Sequence, residues 1–213
     1  MNIGDQKISD FLESLASKEP TPGGGSTSGL LAALATSLGN MVLAYTHGKG
    51  KYADHQSLHG DCENFLQAAR DESLSLATAD AKAYSTLNDL WKLEKDDPLR
   101  LEGWDDAVKQ ATAVPIRTIE LCNRILTTLE TMLGKTNKML DSDLVTASIL
   151  AKSSAEIAAV TARINLPLIA DQERTSDLEK KIQSLIASCK TIARSIDEAC
   201  GAVGRLGIRT IPF

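Results

Sequence analysis

Residues 26–46 form a continuous segment without a charged side chain, and this segment constrains the fold more than any other part of the sequence. A helix that is apolar around nearly its whole circumference must be enclosed by other helices of the same protein or of a partner. The segment is also long enough to cross a membrane, since about 20 apolar residues span a bilayer. Its Ser, Thr and Asn residues, and the absence of basic residues directly before it, argue against such a span. We therefore predict a buried helix and no membrane contact.

The rest of the chain is also typical of helices. Aromatic residues make up only 4% of the sequence, Ala, Leu, Glu, Lys and Ser dominate it, and alternating β-branched residues are scarce. The pattern predicts six helices, over residues 5–17, 26–46, 54–89, 105–133, 142–165 and 172–203. Pro115 lies inside the fourth of these and is expected to kink or split it. We predict an all-α fold, an up-and-down helical bundle in which residues 1–213 form a single domain.

Two of the predicted helices, residues 26–46 and 142–165, are poor in charge around most of their circumference and should lie at the centre. A chain of 213 residues has few outer helices with which to cover both. A symmetric dimer that buries the two helices jointly is the simplest solution, so we expect a homodimer.

Charge and composition disfavour several classes of function. The net charge of -5 arises from interleaved acidic and basic residues, so no basic stripe is available for a nucleic acid. The four cysteines have no paired spacing, and the N-terminus carries charges where a signal peptide is apolar, which predicts a reduced, cytoplasmic protein. His55 and His59 are four residues apart, but a third ligand is not apparent, so we expect solvated histidines and no metal site.

Asp80 is the first candidate for a functional residue. In the third predicted helix, a heptad pattern forms one seam made of Cys62, Leu66, Ala69, Ser73, Leu76, Asp80, Ala83 and Leu87. A carboxylate on such an apolar face must be hydrogen-bonded, paired with a cation or protonated, which makes it a candidate site group. The alternative is that the helix rolls slightly, so that Asp80 reaches solvent or forms a structural ion pair.

Three further segments carry polar groups at predicted helix ends, and the first two have two interpretations each. Asp141, Ser142 and Asp143 either cap the fifth helix or leave a spare carboxylate that faces a cavity. Lys49 and Lys51 follow the uncharged helix and either interact with its dipole or form an anion clamp. The glycines of "TPGGGST" can expose backbone N–H groups at a helix start, but the segment lacks the strand and the Gly-Lys-Ser ending of a P-loop.

Six sequence motifs together resemble the cyclodeaminase/cyclohydrolase family of one-carbon folate metabolism. They are "FLESLASKEPTPGGGSTSGLLAALATSLGNMV", "GKGKY", "DAKAY", "AVPIRTIELC", "SDL" and "RINL", and their order and spacing match the family from about residue 8 to residue 195. The resemblance implies an all-helical homodimer that acts on tetrahydrofolate carrying a carbon at N5 or bridging N5 and N10. The family includes the C-terminal domain of formiminotransferase-cyclodeaminase and stand-alone 5,10-methenyltetrahydrofolate cyclohydrolases.

The resemblance also implies roles for individual residues. Asp80 matches the family's active-site acid, which would handle protons and charge, and Asp143 matches a second recurring acid, which would assist or orient the pterin. Substrate binding is implied for Gly23, Gly24, Gly25, Ser26, Lys49, Lys51, Arg163 and Asn165. The two lysines would hold the glutamate carboxylates of the substrate. Proton transfer at nitrogen through a tetrahedral adduct requires no metal, and we expect no cofactor apart from the tetrahydrofolate derivative that serves as substrate.

The sequence departs from the family pattern at several positions. Family members often have Asn where this chain has Ala44, Met139 and Thr161, and Gly50 replaces a basic residue. The chain has no room for a formiminotransferase domain, which favours hydrolysis of 5,10-methenyltetrahydrofolate over cyclodeamination of 5-formiminotetrahydrofolate. The alternative, motivated by Thr161 and Gly50, is a non-catalytic helical dimer that binds folate or a partner protein.

Overall fold

The computed structural model describes residues 2–201, and this part of the chain contains six α-helices and no strand. The helices are α1 (Ile8–Ala16), α2 (Gly24–Ala44), α3 (Gln56–Trp91), α4 (Pro98–Thr131), α5 (Asp141–Asn165) and α6 (Gln172–Ala199). The predicted all-α fold and its six helices are confirmed. The end of the sixth predicted helix and the tail at 202–213 lie outside the described residues.

The four helices α2 to α5 form an up-and-down bundle. Each packs against the next along the chain, and α2 closes the bundle by packing against both α3 and α5. The last helix, α6, lies outside the bundle against α4 and α5. The core contains large aliphatic side chains with no exposed surface, including Leu43, Leu66, Ile119, Ile125 and Leu126. Burial of each such side chain contributes roughly 1.5–3 kcal/mol to folding, so the bundle is held together mainly by apolar packing.

The fourth helix begins earlier than expected, and Pro115 does not divide it. Asp97 caps its start by accepting the backbone N–H of Leu99 at 2.9 Å, and Pro98 occupies the first turn, where a missing N–H costs nothing. The expected start at residue 105 is therefore wrong, since the helix begins at Pro98. The helix continues through Pro115 as one element, so the split that was expected as one possibility does not occur.

The seam of α3 packs into the bundle largely as its heptad pattern predicts. Six of its members are buried, and two, Asp80 and Ala83, are half-buried. Gly29 allows α2 to approach α3 closely, since a Cβ there would lie only 2.7 Å from the Cβ of Ala77. This close approach brings Asp80 against the first turn of α2.

One face of α2 and the adjoining face of α5 are open to solvent within residues 2–201. We call it the α2/α5 face and define it by its exposed apolar residues, which are Leu34, Tyr45, Ile149, Val160 and Ile164. These side chains are between 46% and 70% exposed, and α2 carries no charged residue at all. Gly24–Ala44 and Lys138–Leu168 would be long and apolar enough to cross a membrane, but half of each apolar window is buried inside the bundle, as in a core helix.

The cysteines are unpaired, and one histidine differs from expectation. Three of the four thiols are buried. The expectation of solvated histidines is wrong for His59, which is 1% exposed and whose Nε2 donates to the carbonyl oxygen of Lys135 at 2.8 Å. Because the segment after α4 folds back over α3, it covers His59 and provides the hydrogen-bond acceptor that burial of an imidazole requires.

Candidate functional site

A cavity of about 460 Å³ opens between the start of α2, the C-terminal half of α3 and the end of α5. Five residues with a predicted site role line it, namely Gly23, Gly24, Gly25, Asp80 and Asn165. Its volume lies in the range of small-molecule sites, and its lining combines apolar walls with a few polar groups, as such sites commonly do. With Ala111 of α4 also in its wall, the cavity brings together four helices whose contributing residues are far apart in the sequence.

Asp80 is held against the first turn of α2. The Oγ atom of Ser26 lies 3.4 Å from Oδ2 of Asp80 and 3.1 Å from the carbonyl oxygen of Ala77, so two acceptors compete for the single hydroxyl proton. The backbone N–H of Ser26 also donates to the carboxylate. Gly25 is essential to this arrangement, because a Cβ at that position would overlap with the carboxylate of Asp80. The positive end of the α2 dipole thus faces the carboxylate.

Burial raises the pKa of Asp80 from 3.8 to about 6, while the hydroxyl and backbone hydrogen bonds from Ser26 oppose part of this rise. The apolar surroundings solvate a carboxylate poorly and so favour its protonated form. Among the described residues, no cation forms an ion pair with Asp80. A carboxyl group that titrates near neutral pH can both accept and release protons, which is the property required of a general acid/base.

The apolar walls of the cavity come from residues that the sequence analysis did not identify. Tyr84 lies one turn after Asp80 on α3, and Ile157, Val160 and Ile164 contribute from α5. Tyr84 could have been found from its spacing, because residues four apart share one face of a helix. The α5 residues repeat at helical spacing and look like ordinary core positions in the sequence, so only the structure assigns them to a cavity. Together these walls form a surface that suits a flat, aromatic ligand.

Asn165 and Thr161 provide polar groups on the α5 side of the cavity. Asn165 is 7% exposed, and its Nδ2 donates to the carbonyl oxygen of Ala111 at 2.8 Å. The Thr161 hydroxyl donates to the carbonyl oxygen of Ile157, 3.2 Å away, one turn earlier in α5. The departure from the family pattern at Thr161 is thus in the cavity wall itself, where it changes the polar groups that a ligand meets.

Lys49 and Lys51 lie at the other end of the bundle from Asp80. Lys49 lines a separate hollow of about 250 Å³ beyond the end of α2, and the Nζ of Lys51 lies 5.4 Å from the ring centroid of Tyr52. The 21 residues of α2 separate this end from Gly24 by about 30 Å, at 1.5 Å per residue. Within one protomer, the two lysines therefore do not share the cavity with Asp80.

Asp143 also lies away from the cavity, in the first turn of α5, whereas Asn165 is the last residue of that helix. The predicted capping role of this acidic segment is not observed, because Leu140 occupies the N-cap position and no side chain caps the helix. Asp141, in the same turn, has its pKa raised by burial, an effect that the nearby Lys138 opposes. Asp143 is thus at the same end of the bundle as Lys49 and Lys51.

Arg163 is turned away from the cavity. Its guanidinium group donates to Glu179 of α6 through Nε and one terminal nitrogen, with distances of 2.9 to 3.2 Å. These contacts lower the pKa of Glu179. The position of Arg163 in the sequence, two residues before Asn165, places the two side chains on different sides of α5. The structure thus gives Arg163 a role in attaching α6 to α5.

Comparisons with known proteins agree on one family. A family model described as formiminotransferase-cyclodeaminase matches residues 7–184. The methenyltetrahydrofolate cyclohydrolase of Methylorubrum extorquens is 26% identical over 202 residues, which cover 92% of this chain and 96% of that protein. The formimidoyltransferase-cyclodeaminase of Mus musculus is 27% identical over 193 residues, covering 89% of this chain but only 36% of that longer protein.

A solved structure agrees with the fold. The crystal structure of formiminotetrahydrofolate cyclodeaminase from Thermotoga maritima matches with a TM-score of 0.86 and 23% sequence identity, over 93% of this chain and 97% of that one. At this identity the likeness concerns the arrangement of the helices. The chain corresponds to nearly the whole of the cyclohydrolase and to about a third of the bifunctional relative.

Proposed function

The chain belongs to the formiminotransferase-cyclodeaminase family, and on that premise we propose that it is an enzyme acting on tetrahydrofolate with a carbon at N5 or bridging N5 and N10. The observation that carries the proposal is the placement of Asp80, with a pKa of about 6, in a cavity of ligand size. We propose hydrolysis of 5,10-methenyltetrahydrofolate as the first candidate reaction. The relative matched over 96% of its own length, a methenyltetrahydrofolate cyclohydrolase, supports this choice.

In the proposed hydrolysis, Asp80 first accepts a proton from water and then donates the same proton to the substrate. As a carboxylate it removes a proton from water while the water oxygen bonds to the methenyl carbon, which gives a neutral tetrahedral adduct. The protonated Asp80 then gives that proton to N5 as the bond between N5 and the carbon breaks. The adduct hydroxyl releases its proton to solvent as the formyl C=O forms, so the products are 10-formyltetrahydrofolate and one proton. These steps need no metal and no cofactor, and the proposal includes none.

Cyclodeamination of 5-formiminotetrahydrofolate is the second candidate reaction. There N10 attacks the formimino carbon while its proton passes to the imino nitrogen, and protonated Asp80 then donates to the resulting amino group as its bond to the carbon breaks, which leaves the methenyl cation, ammonia and the Asp80 carboxylate. The names of the Mus musculus relative and of the Thermotoga maritima structure keep this candidate in consideration. Both reactions pass through a tetrahedral adduct at the same carbon, so one carboxyl group of intermediate pKa serves either of them.

Four unpaired thiols support the cytoplasm as the location that we propose for the protein.

We further propose that the active unit is a homodimer in which two subunits complete each site. The predicted site residues fall into two groups about 30 Å apart, with Asp80 at one end of the bundle and Lys49, Lys51 and Asp143 at the other. A folate with a single glutamate is too short to reach both groups within one protomer. Two copies related by a two-fold axis can bring the lysine end of one next to the cavity of the other.

The α2/α5 face supports the second copy as the partner. It is apolar and borders the cavity, since Val160 and Ile164 belong to both. A two-fold axis that lies in this face and is perpendicular to α2 would set the α2 helices of the two copies antiparallel. The end of one helix would then lie beside the start of the other. Large exposed apolar faces of this kind are typical of protein interfaces. The same contact would bury the uncharged helix on every side.

Purified protein distinguishes the candidate functions. Loss of the methenyl absorbance in the presence of the protein, above the uncatalysed rate, is expected for hydrolysis, and release of ammonia from 5-formiminotetrahydrofolate for cyclodeamination. The Asp80→Asn variant is the matched control and should lose the activity that the wild-type protein has. Folate binding without turnover of either substrate would instead favour the non-catalytic dimer. Absence of both binding and turnover would refute the proposed function.

Subunit mixing tests the shared site. The variant Asp80→Asn and the double variant Lys49→Ala with Lys51→Ala should each be poorly active alone. Random mixing of the two by joint refolding gives half mixed dimers, each with one intact site, so the mixture should recover about a quarter of the wild-type activity. If each protomer held a complete site, mixing would restore nothing. Sedimentation analysis of the wild-type protein should give the mass of a dimer, and a monomer would contradict the shared site.

A further inference from the structure

Pro115 leaves one backbone carbonyl of α4 without its usual partner. In an α-helix each N–H donates to the carbonyl four residues earlier, and the partner of residue 115 is therefore the carbonyl of Ala111. Proline has no N–H, so this bond cannot form. α4 nevertheless continues from Pro98 to Thr131, and Ala111 lies at the wall of the cavity. A helix that keeps a proline in its interior must satisfy that carbonyl in another way.

Asn165 provides the missing donor. Its Nδ2 atom lies 2.8 Å from the carbonyl oxygen of Ala111, across 54 residues of sequence. The acceptor is a carbonyl oxygen, so the amide must point its NH₂ group toward α4. The orientation of the Asn165 amide is thus set by a neighbouring helix and does not depend on a ligand.

The same contact leaves the oxygen of the Asn165 amide available. Oδ1 accepts no hydrogen bond from residues 2–201, although the whole residue is only 7% exposed and lines the cavity. Among the described residues, the polar side-chain atoms that are both fully enclosed and unpaired are Oε1 of Gln6 and Oδ1 of Asn40. Since Oδ1 of Asn165 is unpaired but does not belong to this group, it keeps some accessible surface. Because Asn165 lines the cavity, the cavity is the open space beside this acceptor. A nearly buried acceptor without a partner, aimed into a cavity, is a binding group for a hydrogen-bond donor.

We propose that Pro115 is a positioning residue that fixes Asn165 as an acceptor for an N–H group of the reduced pterin ring. Pro115 withholds its N–H from Ala111, the free carbonyl holds Nδ2 of Asn165, and Oδ1 is left to receive the N–H of the ligand. The site then selects ligands with a donor at this position and rejects those with an acceptor. The identity of the ligand rests on the proposed function, whereas the orientation of the amide does not.

We call this arrangement of Pro115, the Ala111 carbonyl and Asn165 the relay. The substitution Pro115→Ala tests it without changing a residue that contacts the ligand. It returns an N–H to α4 that competes for the Ala111 carbonyl, so the Asn165 amide is free to turn. We expect the KM for methenyltetrahydrofolate to rise about five- to tenfold with kcat within about twofold, as for the loss of one ground-state hydrogen bond. Asn165→Ala should raise KM by a similar factor, and the double variant should be no worse than either single variant.

Pro98→Ala is the matched control, since it makes the same change in the first turn of the same helix, where no carbonyl is freed. Its KM should be unchanged. Equal KM values for Pro115→Ala and the wild type, or fully additive effects in the double variant, would overturn the proposal. A fall in kcat alone, with a lower melting temperature, would mean that Pro115 only supports the fold and would also overturn it.

Nuclear magnetic resonance of the Asn165 side-chain amide provides a readout that does not depend on turnover. In the wild-type protein its two N–H signals should be well separated and protected from exchange, because one of them is hydrogen-bonded to Ala111. They should move in Pro115→Ala and stay in place in Pro98→Ala. An unchanged pair of signals in Pro115→Ala refutes the relay even if the protein has no folate activity. A wild-type protein that shows the relay but binds no folate refutes the proposed function alone.

Discussion

Replacing Asp80 by asparagine should change how the stability of the protein depends on pH. Burial raises the pKa of this carboxyl from 3.8 to about 6 in the folded protein. One pKa unit corresponds to about 1.4 kcal/mol. The rise is therefore a free energy of about 3 kcal/mol by which the folded protein favours the protonated form over the ionised form. The folded protein binds the proton more tightly than the unfolded chain does. Stability therefore falls as pH rises from about 4 to about 6 and remains lower above that range.

Urea denaturation of the wild type and of Asp80→Asn, repeated at intervals from about pH 4 to about pH 8, measures this effect. The difference between the two free energies of unfolding isolates Asp80, because the other titrating groups are common to both proteins. Relative to the variant, the wild type should lose about 2–3 kcal/mol across this range. If the homodimer forms, the comparison requires equal protein concentrations.

Parallel stability curves would refute the reasoning, because they would mean that Asp80 titrates in the folded protein as it does in the unfolded chain. The same variant should reduce turnover by about 10²–10⁴-fold, the usual contribution of a general acid/base. A wild-type pH profile of kcat/KM whose acidic limb lies near the ordinary carboxyl range, well below 6, would contradict the raised pKa independently.

Four further substitutions give distinct outcomes. Gly25→Ala should reduce kcat at least about tenfold by displacing the carboxylate of Asp80, as measured in the turnover assay, whereas Gly29→Ala, which meets Ala77, should instead lower the melting temperature. Ser26→Ala removes a hydrogen bond that favours the ionised form, so the acidic limb of the wild-type pH profile should move upward from about 6, and a downward shift would contradict this. Arg163→Ala should cost less than about 1 kcal/mol in urea denaturation and should raise the pKa of its former partner Glu179, detectable by NMR titration.

The sequence was sufficient to predict most of the secondary structure and the unusual position of Asp80. The uncharged segment at 26–46 predicts a central helix, and the heptad pattern of α3 predicts the odd position of Asp80 in an apolar seam. The start of α4 was missed although its signal is present, since an Asp-Pro pair is a common beginning of a helix. His59 was missed because its burial comes from the chain around Lys135, which is distant in sequence.

The remaining site residues required tertiary contacts. Sequence motifs grouped Lys49, Lys51 and Asp143 with Asp80, but the lengths of α2 and α5 put them at opposite ends of the bundle. Motifs record that residues are used together and contain no information on whether one chain or two supplies them. Distance along a helix axis grows by 1.5 Å per residue, and only the packing of helices decides which ends meet.

The sequence by itself determined the all-helical character of the protein, the apolar faces that its helices bury and the position of one carboxyl group among apolar neighbours. These properties follow from local propensity and periodicity, which are fixed by residues close together in the chain. Only the tertiary structure decided the pKa of Asp80, the need for Gly25 beneath it and the orientation of Asn165 by the carbonyl of Ala111. Desolvation, close approach and hydrogen bonds between helices depend on atoms that are distant in sequence and meet only when the bundle forms.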